Sequence, residues 1–566
     1  MRILGLSAFH RDAAAALVVD GKVVAAAQEE RFSRLALDPA FPKRALRWCL
    51  AQANLSGNEL DHVVFYEKPL PKFERVMVRA LRAFPRGGRA FSKSLFLWLG
   101  ERLWIRDRIA TELGLAPDKV LFVSQAQAQL AHAFHLAPFD EAALLCIDDV
   151  GEWAATTFGR ARGSELELLY EHRHPHSLGL FASAMTQFLG FVPGEEEHKL
   201  EALAAFGEPR RRAELEGLFR VAQGSFELDE EAFRFDDGAA FLFTPALEAR
   251  LGPARRTGDP LRFSGDDRAH ADLAASVQAV LEERVLGLAR SLAKRVDSPR
   301  LCLAGLLAGN RTLVVRLAAE GPFRELFVAP AAGKAGGALG AALYAYHTLT
   351  SSAAERGASA LARCAVGEAI ESLAEEGARE LGGSEAGQAE LARRLGAGEC
   401  VGWVHGPMEF GERSHSHRVA LALPGAQEPR ARLLAALRHD EPFLPCRIAL
   451  PAEAAGEYLE SVPGGAWLAA GARVRICARE RLRALVPAAF APDGRVWPQL
   501  VSAAEAPELH ALLTRIGRER GAPLLWLADF ALRGAPLVRS EAEAVEAFGR
   551  SGLDALVAGT RLYVRA

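Results

Sequence analysis

The sequence predicts an α/β protein of two domains, and three observations carry that prediction. Short runs rich in Val, Leu, Ile and Phe, at 63–66, 142–147 and 301–305, alternate with amphipathic stretches such as 269–295, the pattern of a mixed sheet flanked by helices. At 566 residues, 50% of them hydrophobic, the chain can bury more than one core. Composition breaks after Tyr346, where Ser351, Ser352 and an Ala/Glu/Arg-rich stretch around 366–395 read as a connection between domains. The expected division is a first domain over 1–355, a helical connecting segment over 356–398 and a second domain over 399–566.

The elements follow in order. Ile3 to Leu6 reads as a strand, His10-Arg11-Asp12 as a polar turn, and Leu17-Val18-Val19 and Val23-Val24 as strands joined by an Asp20-Gly21 hairpin. The apolar runs 142–147 and 301–305 read as buried strands. Lys334 to Leu343 reads as a glycine turn opening a helix, whose free backbone N–H groups could face a phosphate; tight Gly/Ala helix packing explains the same residues equally well. Val401 to Val404 reads as the strand that begins the second domain. The sequence shows no internal repeat.

The balance of Lys+Arg 68 against Asp+Glu 71, a formal net charge of −3, gives no general pull toward nucleic acid or an anionic membrane; binding either would need a local patch. Seven scattered cysteines with no CxxC pair read as buried thiols in a reducing compartment. The N-terminus has no apolar leader, and no apolar run approaches about 18 residues. A soluble, cytoplasmic protein is expected, with no nucleic-acid or membrane partner. Walker A, dinucleotide, His-Glu-x-x-His and Gly-x-Ser-x-Gly motifs are absent.

Several motifs occur in one order: His10-Arg11-Asp12, Gln28-Glu29-Glu30-Arg31-Phe32-Ser33, Asp148-Asp149-Val150-Gly151-Glu152, His174-Pro175-His176-Ser177, Glu197-His198-Lys199, Met408-Glu409-Phe410-Gly411, Glu441-Pro442-Phe443 and Arg533-Gly534-Ala535-Pro536. On these residues the chain resembles the NodU/CmcH-type carbamoyltransferases, which place carbamoyl groups on hydroxyls of natural products. The resemblance implies an N-terminal actin-like ATPase (ASKHA) domain, related to the tRNA threonylcarbamoyl transferases, and a smaller YrdC-like α/β C-terminal domain. ATP or carbamoyl adenylate is the ligand it implies.

The resemblance also implies a divalent metal held by two histidines and two aspartates. Here those positions carry Gln125, Gln129, Asp148 and Lys334. A glutamine amide oxygen is a weak neutral donor and a charged lysine has no lone pair, so no metal is expected. Lys334 either replaces the cation's charge beside Asp148 or serves as a nucleophile or base. His132 and His135 follow on the same segment, but His132 would lie about 10 Å along a helix from the expected position; the two are either a shifted metal site or ordinary helix histidines.

His10 matches the family histidine that accepts the acceptor hydroxyl's proton, and an imidazole suits that task. With it the resemblance retains Asp12, Asp148, Gly151, Glu152, Glu197, Lys199, Asn310, Gly333 and Gly336 as nucleotide or carbamoyl candidates, unless they persist as supports of the fold. In the second domain Arg413 and Arg418 match phosphate-binding arginines and Arg438 replaces a lysine, since arginine binds phosphate bidentately. Glu412, Asp440, Leu444 and Trp497 break the pattern, and Leu527-Ala528-Asp529-Phe530-Ala531 replaces a run rich in amides and hydroxyls. His405, His415 and His417 are either a new metal site or surface and loop histidines.

Losses at the metal ligands and the adenylation residues, with the core pattern kept, are the sequence appearance of a pseudoenzyme. The expected role is a degenerate carbamoyltransferase homologue that partners an intact one, or forms a homo-oligomer, in a biosynthetic pathway. The alternatives are a metal-independent O-carbamoyltransferase acting on a small-molecule acceptor with His10 as general base, and a non-catalytic nucleotide-binding sensor.

Overall fold

A computed structural model describes the chain except residues 85–87, 223–224, 236–239, 260, 262–265, 355–365, 367–378, 382–383, 426–427, 440, 442, 445, 461–466, 469–475, 478–479, 486–494 and 566. Most of the expected connecting helix and Asp440 lie outside the described residues. The chain divides into two compact units. Unit 1 comprises 1–25, 39–357 and 464–467; unit 2 comprises 26–38, 358–463 and 468–566. The sequence expectation kept 26–38 inside an uninterrupted 1–355, whereas these residues cluster with unit 2.

Unit 1 opens with β1 (Arg2–Ser7), β2 (Ala14–Val19), β3 (Lys22–Gln28), β4 (His62–Phe65) and β5 (Val120–Phe122), in the sheet order β3-β2-β1-β4-β5. β1 is antiparallel to β2, with Ile3 opposite Val18, and parallel to β4. Central strands covered on both faces read as continuous apolar runs, and Ile3, Leu4 and Leu6 are fully buried. The turn at Asp20 and Gly21 has both residues at positive φ, 49° and 80°, as a two-residue hairpin of right-handed strands requires.

A second sheet contains β6 (Glu141–Ile147), β7 (Ala154–Arg162) and β8 (Glu165–Arg173); after the hairpin of β9 (Phe219–Ala222) and β10 (Ser225–Leu228), it continues with β11 (Arg300–Ala304) and β12 (Glu325–Val328). Five consecutive strands of this six-stranded sheet run β12-β11-β6-β7-β8. β6 is antiparallel to β7, β7 to β8, and β6 is parallel to β11. The first sheet has the same connectivity: three strands in succession, then two added in parallel on the other side of the first. Unit 1 therefore contains a topological repeat that residue identities do not reveal.

The helices Gln125–Leu136 and Gly336–Thr350 pack against each other, and the second also packs on β1 and β2. A Cβ on Gly340 would stand 1.8 Å from the Ala128 carbonyl oxygen, and one on Gly5 would stand 1.9 Å from that of Ala338. Close backbone approach accounts for the glycines of 334–343, so the tight-packing explanation holds there.

Unit 2 is built on an eight-stranded mixed sheet in the order 379–380, 561–564, 555–558, 401–404, 418–422, 525–529, 447–451, 498–501. Val401–Val404 is antiparallel to Arg418–Ala422 and parallel to Ala555–Ala558. The helices Ser384–Gly396 and Pro507–Arg520 cover one face, packing Leu395, Leu512 and Ile516 with Trp403, Leu421 and Leu527. Burial of such side chains contributes about 1.5–3 kcal/mol each. The 26–38 excursion is tied to this unit by polar contacts: Gln28 Oε1 accepts from Gly411 N at 3.0 Å, Arg31 donates to the Gly411 carbonyl, and Arg34 donates to the Pro536 and Leu537 carbonyls.

Cys49, Cys146, Cys302, Cys400 and Cys446 are free and buried. Among the described residues no helix is long and apolar enough to cross a membrane.

Candidate functional site

The polar centre of unit 1 forms where β6 ends. Asp148 and Asp149 follow Ile147, the last residue of β6, and the Asp148 N–H still donates to the Ala155 carbonyl at 2.9 Å, which holds both carboxylates at the end of the sheet. Ser177 fixes this corner, with its Oγ 3.0 Å from the Asp148 carbonyl oxygen and 2.6 Å from that of Asp149. Asp148 Oδ2 accepts from Gln125 Nε2 at 2.7 Å, Gln129 Nε2 at 2.8 Å and Lys334 Nζ at 2.9 Å. Asp148 Oδ1 accepts from the backbone N–H of Asp149 at 2.9 Å and of Leu306 at 3.3 Å. Two glutamines four apart reach one carboxylate because four residues make about one helical turn.

Lys334 also lies 2.7 Å from Asp149 Oδ1 and 3.2 Å from the Val150 carbonyl oxygen. Its three N–H donors each have an acceptor, and the Asp148 carboxylate is filled by five donors. Burial would lower the Lys334 pKa, but Asp148 and Asp149 raise it above its ordinary value. Lys334 is thus a permanent cation, not a neutral nucleophile or base. Burial would raise Asp149, but Lys334, His10 and Arg11 hold it well below the usual carboxylate range.

The residues present do not fit the metal that the resemblance implies. A cation at this position would need lone pairs from Asp148 that five donors already use, and Lys334 repels it. His132 and His135 do not rescue it. Both are buried, His132 is pushed down to about 3 by burial, and His135 stacks on His347 at 4.1 Å between ring centroids. Among the described residues no three His, Cys, Asp or Glu side chains converge as a metal site.

His10 sits in a tight turn in which Phe9 and Asp12 have φ of 71° and 65°, a conformation costly for residues with a Cβ. Its Nδ1 accepts from the Arg11 backbone N–H at 3.1 Å, and its Nε2 faces Asp149 Oδ2 at 3.4 Å. Burial first, and then the Lys334 charge, hold the imidazole well below its usual pKa. His10 is therefore neutral at pH 7, with its protonated nitrogen turned to a carboxylate and its lone pair already engaged. Arg11 bridges outward, donating to Asp149 Oδ2 at 2.7 Å. Asp12 is buried in the same turn.

Other candidates surround this centre without joining it. Glu152 accepts from the backbone N–H of Lys68 at 2.8 Å and of Gln125 at 3.1 Å, and burial raises its pKa. Gly151 packs on Gln125, where a Cβ would lie 3.4 Å from the Gln125 Cβ. Glu197 accepts from Ser183 Oγ at 2.6 Å and is likewise raised by burial. Lys199 is held by Glu196 at 2.6 Å. Asn310 caps the helix Arg311–Glu320 through the Leu313 N–H at 3.0 Å and pairs with Gln278. Gly333 lies in the turn before Lys334, and Gly336 starts the helix against His132. Arg11, Asp149 and Ser177, which complete the centre, were not among the predicted site residues; all three lie inside the quoted motifs, Arg11 and Asp149 beside residues that were.

In unit 2 the predicted arginines are not gathered around a common point. Arg418 is buried and donates to the His405 carbonyl at 2.9 Å and the Gly406 carbonyl at 3.0 Å. Arg438 is exposed at the hydrogen bonds it makes to the Arg550 carbonyl, at 2.7 and 3.1 Å. Arg413 lies 3.2 Å from Asp529 Oδ2, and Arg447, not predicted, donates to Asp529 Oδ1. Asp529 thus occupies an arginine pair that would otherwise suit a phosphate. Leu444 and Trp497, where family arginines were expected, are buried.

His415 and His417 lie in the loop that precedes the strand Arg418–Ala422, and both are buried. The His417 ring lies 3.2 Å from Glu409, whose carboxylate also accepts from the backbone N–H groups of His415 at 2.8 Å and Ser416 at 2.9 Å. Burial would raise Glu409, but the His417 contact, the His415 ring and the Ser414 hydroxyl hold it well below its usual pKa.

Comparisons with known proteins agree with the motifs. The family model for the carbamoyltransferase N-terminus matches residues 2–343, and that for the carbamoyltransferase C-terminus matches 392–565. The uncharacterized protein sll1178 of Synechocystis sp. is 35% identical over 98% of this chain and 95% of its own length. The nodulation protein NolNO of Sinorhizobium fredii is 29% identical over 98% of this chain and 79% of its own. Among solved structures, the ROK hexokinase of Thermus thermophilus is 17% identical, covers 62% of this chain and 100% of its own, and has a TM-score of 0.31, too low to carry a fold assignment. With both family models matched in order along most of its length, the chain belongs to the carbamoyltransferase family.

Proposed function

We propose that this carbamoyltransferase-family protein is a pseudoenzyme that serves as partner or scaffold of an intact carbamoyltransferase, in a pathway that modifies small molecules. One observation carries the proposal: Lys334 and the two glutamines saturate Asp148, so internal groups fill the place where the family's chemistry would put a cation. The Asp529 pairs with Arg413 and Arg447 support the same reading for the adenylation step. Unit 2 is read as the YrdC-like domain implied by the resemblance, with its phosphate contacts replaced by a carboxylate.

The full chain with ATP and carbamoyl phosphate is expected to release no pyrophosphate; turnover near about 1 per second would overturn the proposal. Co-expression with an intact carbamoyltransferase is expected to give co-elution and a change in the partner's activity. Separate elution with unchanged partner activity would remove the scaffold role. Restoring the ligand set with Gln125→His, Gln129→His and Lys334→Asp is expected to give near-equimolar divalent metal by elemental analysis.

A second reading, metal-independent O-carbamoyl transfer, draws on the neutral His10. For it to act as a base, the acceptor hydroxyl would have to displace the Arg11 N–H from Nδ1 and pass its proton there, while Lys334 stabilised negative charge. Carbamoylated product from the isolated chain, lost in His10→Asn, would favour it. Nucleotide binding without turnover would favour a sensor.

A further inference from the structure

The segment 68–93 contains eight Lys/Arg residues and one acidic residue, Glu74, a formal +7 within a chain of net −3. It supplies the helix Pro69–Arg82 and runs into the helix Gly88–Gly100. The two helices pack together, with the rings of Phe73 and Trp98 5.7 Å apart. Away from that contact, large apolar side chains stand in solvent: Leu70 is 70% exposed, Leu81 63%, Phe84 71%, Phe96 79%, Leu99 51% and, on the short helix that follows, Trp104 59%. Single exposed apolar residues are ordinary, but a concentration of this kind on one supersecondary unit marks a contact surface. Leu70 and Leu81 are eleven residues apart, about three helical turns, so they share a face.

The six of these cations whose side chains the structure describes divide into two sets of three. Lys72, Arg75 and Arg79 are drawn inward, to Glu67, the Glu152 carbonyl and Glu230. Lys68, Arg82 and Lys93 are exposed. Solvent-facing cations beside solvent-facing Leu, Phe and Trp are the composition of helices that lie in the headgroup layer of a bilayer.

We propose that the helix pair Pro69–Arg82 and Gly88–Gly100, with the short helix Arg102–Trp104, is a docking surface for an anionic lipid bilayer. Leu70, Leu81, Phe84, Phe96, Leu99 and Trp104 enter the headgroup boundary, and Lys68, Arg82 and Lys93 meet the lipid phosphates. Charge decides against a second copy on the same face, because a twofold contact would set the exposed Lys68, Arg82 and Lys93 against their own copies. Apolar exposure decides against a nucleic acid, whose phosphates would leave the Leu and Phe side chains unsatisfied. No described helix can span a bilayer, so the attachment is peripheral and reversible.

The test is co-sedimentation of the full chain with vesicles of phosphatidylglycerol and phosphatidylcholine in equal parts, and with phosphatidylcholine alone. Binding is expected to be on the order of a hundredfold tighter to the anionic vesicles and to weaken with salt. The double variant Phe84→Ser with Phe96→Ser is expected to lose at least about tenfold in binding with an unchanged melting midpoint, because both side chains are already in water. Lys68→Gln, Arg82→Gln and Lys93→Gln together are expected to abolish the preference for the anionic lipid. Equal sedimentation with and without vesicles would overturn the proposal. So would a lipid-free dimer dissociated by Phe96→Ser, or binding to an oligonucleotide but not to vesicles.

Discussion

The centre of unit 1 and the arginine pair of unit 2 are each filled by an internal ion pair, but they differ in depth and in reversibility. Lys334 and Asp148 are 6% and 5% exposed, joined from positions far apart in the chain, and tied to two glutamines and two backbone N–H groups. Asp529 is 16% exposed, Arg447 11% and Arg413, the wetter of its two arginines, 33%. A buried ion pair with every donor satisfied cannot be opened by a ligand without stranding a charge, whereas a partly solvated pair can exchange one anion for another.

The largest effect that would break this contrast is loss of the lysine. Lys334→Ala leaves two buried carboxylates without their shared cation and is expected to destabilise the chain by about 3–5 kcal/mol in urea unfolding. Asp529→Asn, at a wetter pair, is expected to cost about 1 kcal/mol. Equal costs would mean that the two sites do not differ in kind.

Acid sharpens the comparison next. His132 has a folded pKa of about 3 against an ordinary value of about 6.5. The unfolded chain therefore takes the proton first, and stability falls as pH drops from about 6.5 toward 3, by roughly 1.4 kcal/mol per unit. Asp149, held low, adds its own loss only as pH falls through the carboxylate range, as Glu409 does in unit 2. Unit 1 is expected to lose protection before the Glu409 region when hydrogen exchange is followed from pH 7 to 4, and His132→Gln is expected to flatten the early slope.

The smallest effect is the most specific one. Asp529→Asn frees Arg413 and Arg447 for an exogenous anion and is expected to raise affinity for tripolyphosphate about tenfold by calorimetry, the worth of roughly 1.4 kcal/mol in charge-assisted hydrogen bonds. Asp148→Asn is expected to produce no such gain, because Lys334 still has Asp149 and the Val150 carbonyl.

The sequence made the Asp148 to Lys334 pairing legible, because a cation at a metal-ligand position beside a retained acid has few other partners. It also made the α/β class and the first hairpin legible, since apolar alternation and Asp-Gly chemistry act locally. It did not distinguish an arginine that meets phosphate from one that meets carbonyl oxygens, which is why Arg418 and Arg438 stood with Arg413. Asp529 read as lost amide and hydroxyl groups; its gain, a charge placed between two arginines, depends on strands far apart in sequence. A net charge of −3 averages away the +7 of residues 68–93. The topological repeat was hidden because connectivity can persist when side-chain identities do not.

The excursion of residues 26–38 into unit 2 has an evolutionary consequence. A recombination event that joins two halves at residue 357 would separate Gln28, Arg31 and Arg34 from Gly411, Pro536 and Leu537. The two units are therefore inherited together: neither can be transplanted into another gene as a single contiguous exon-like piece.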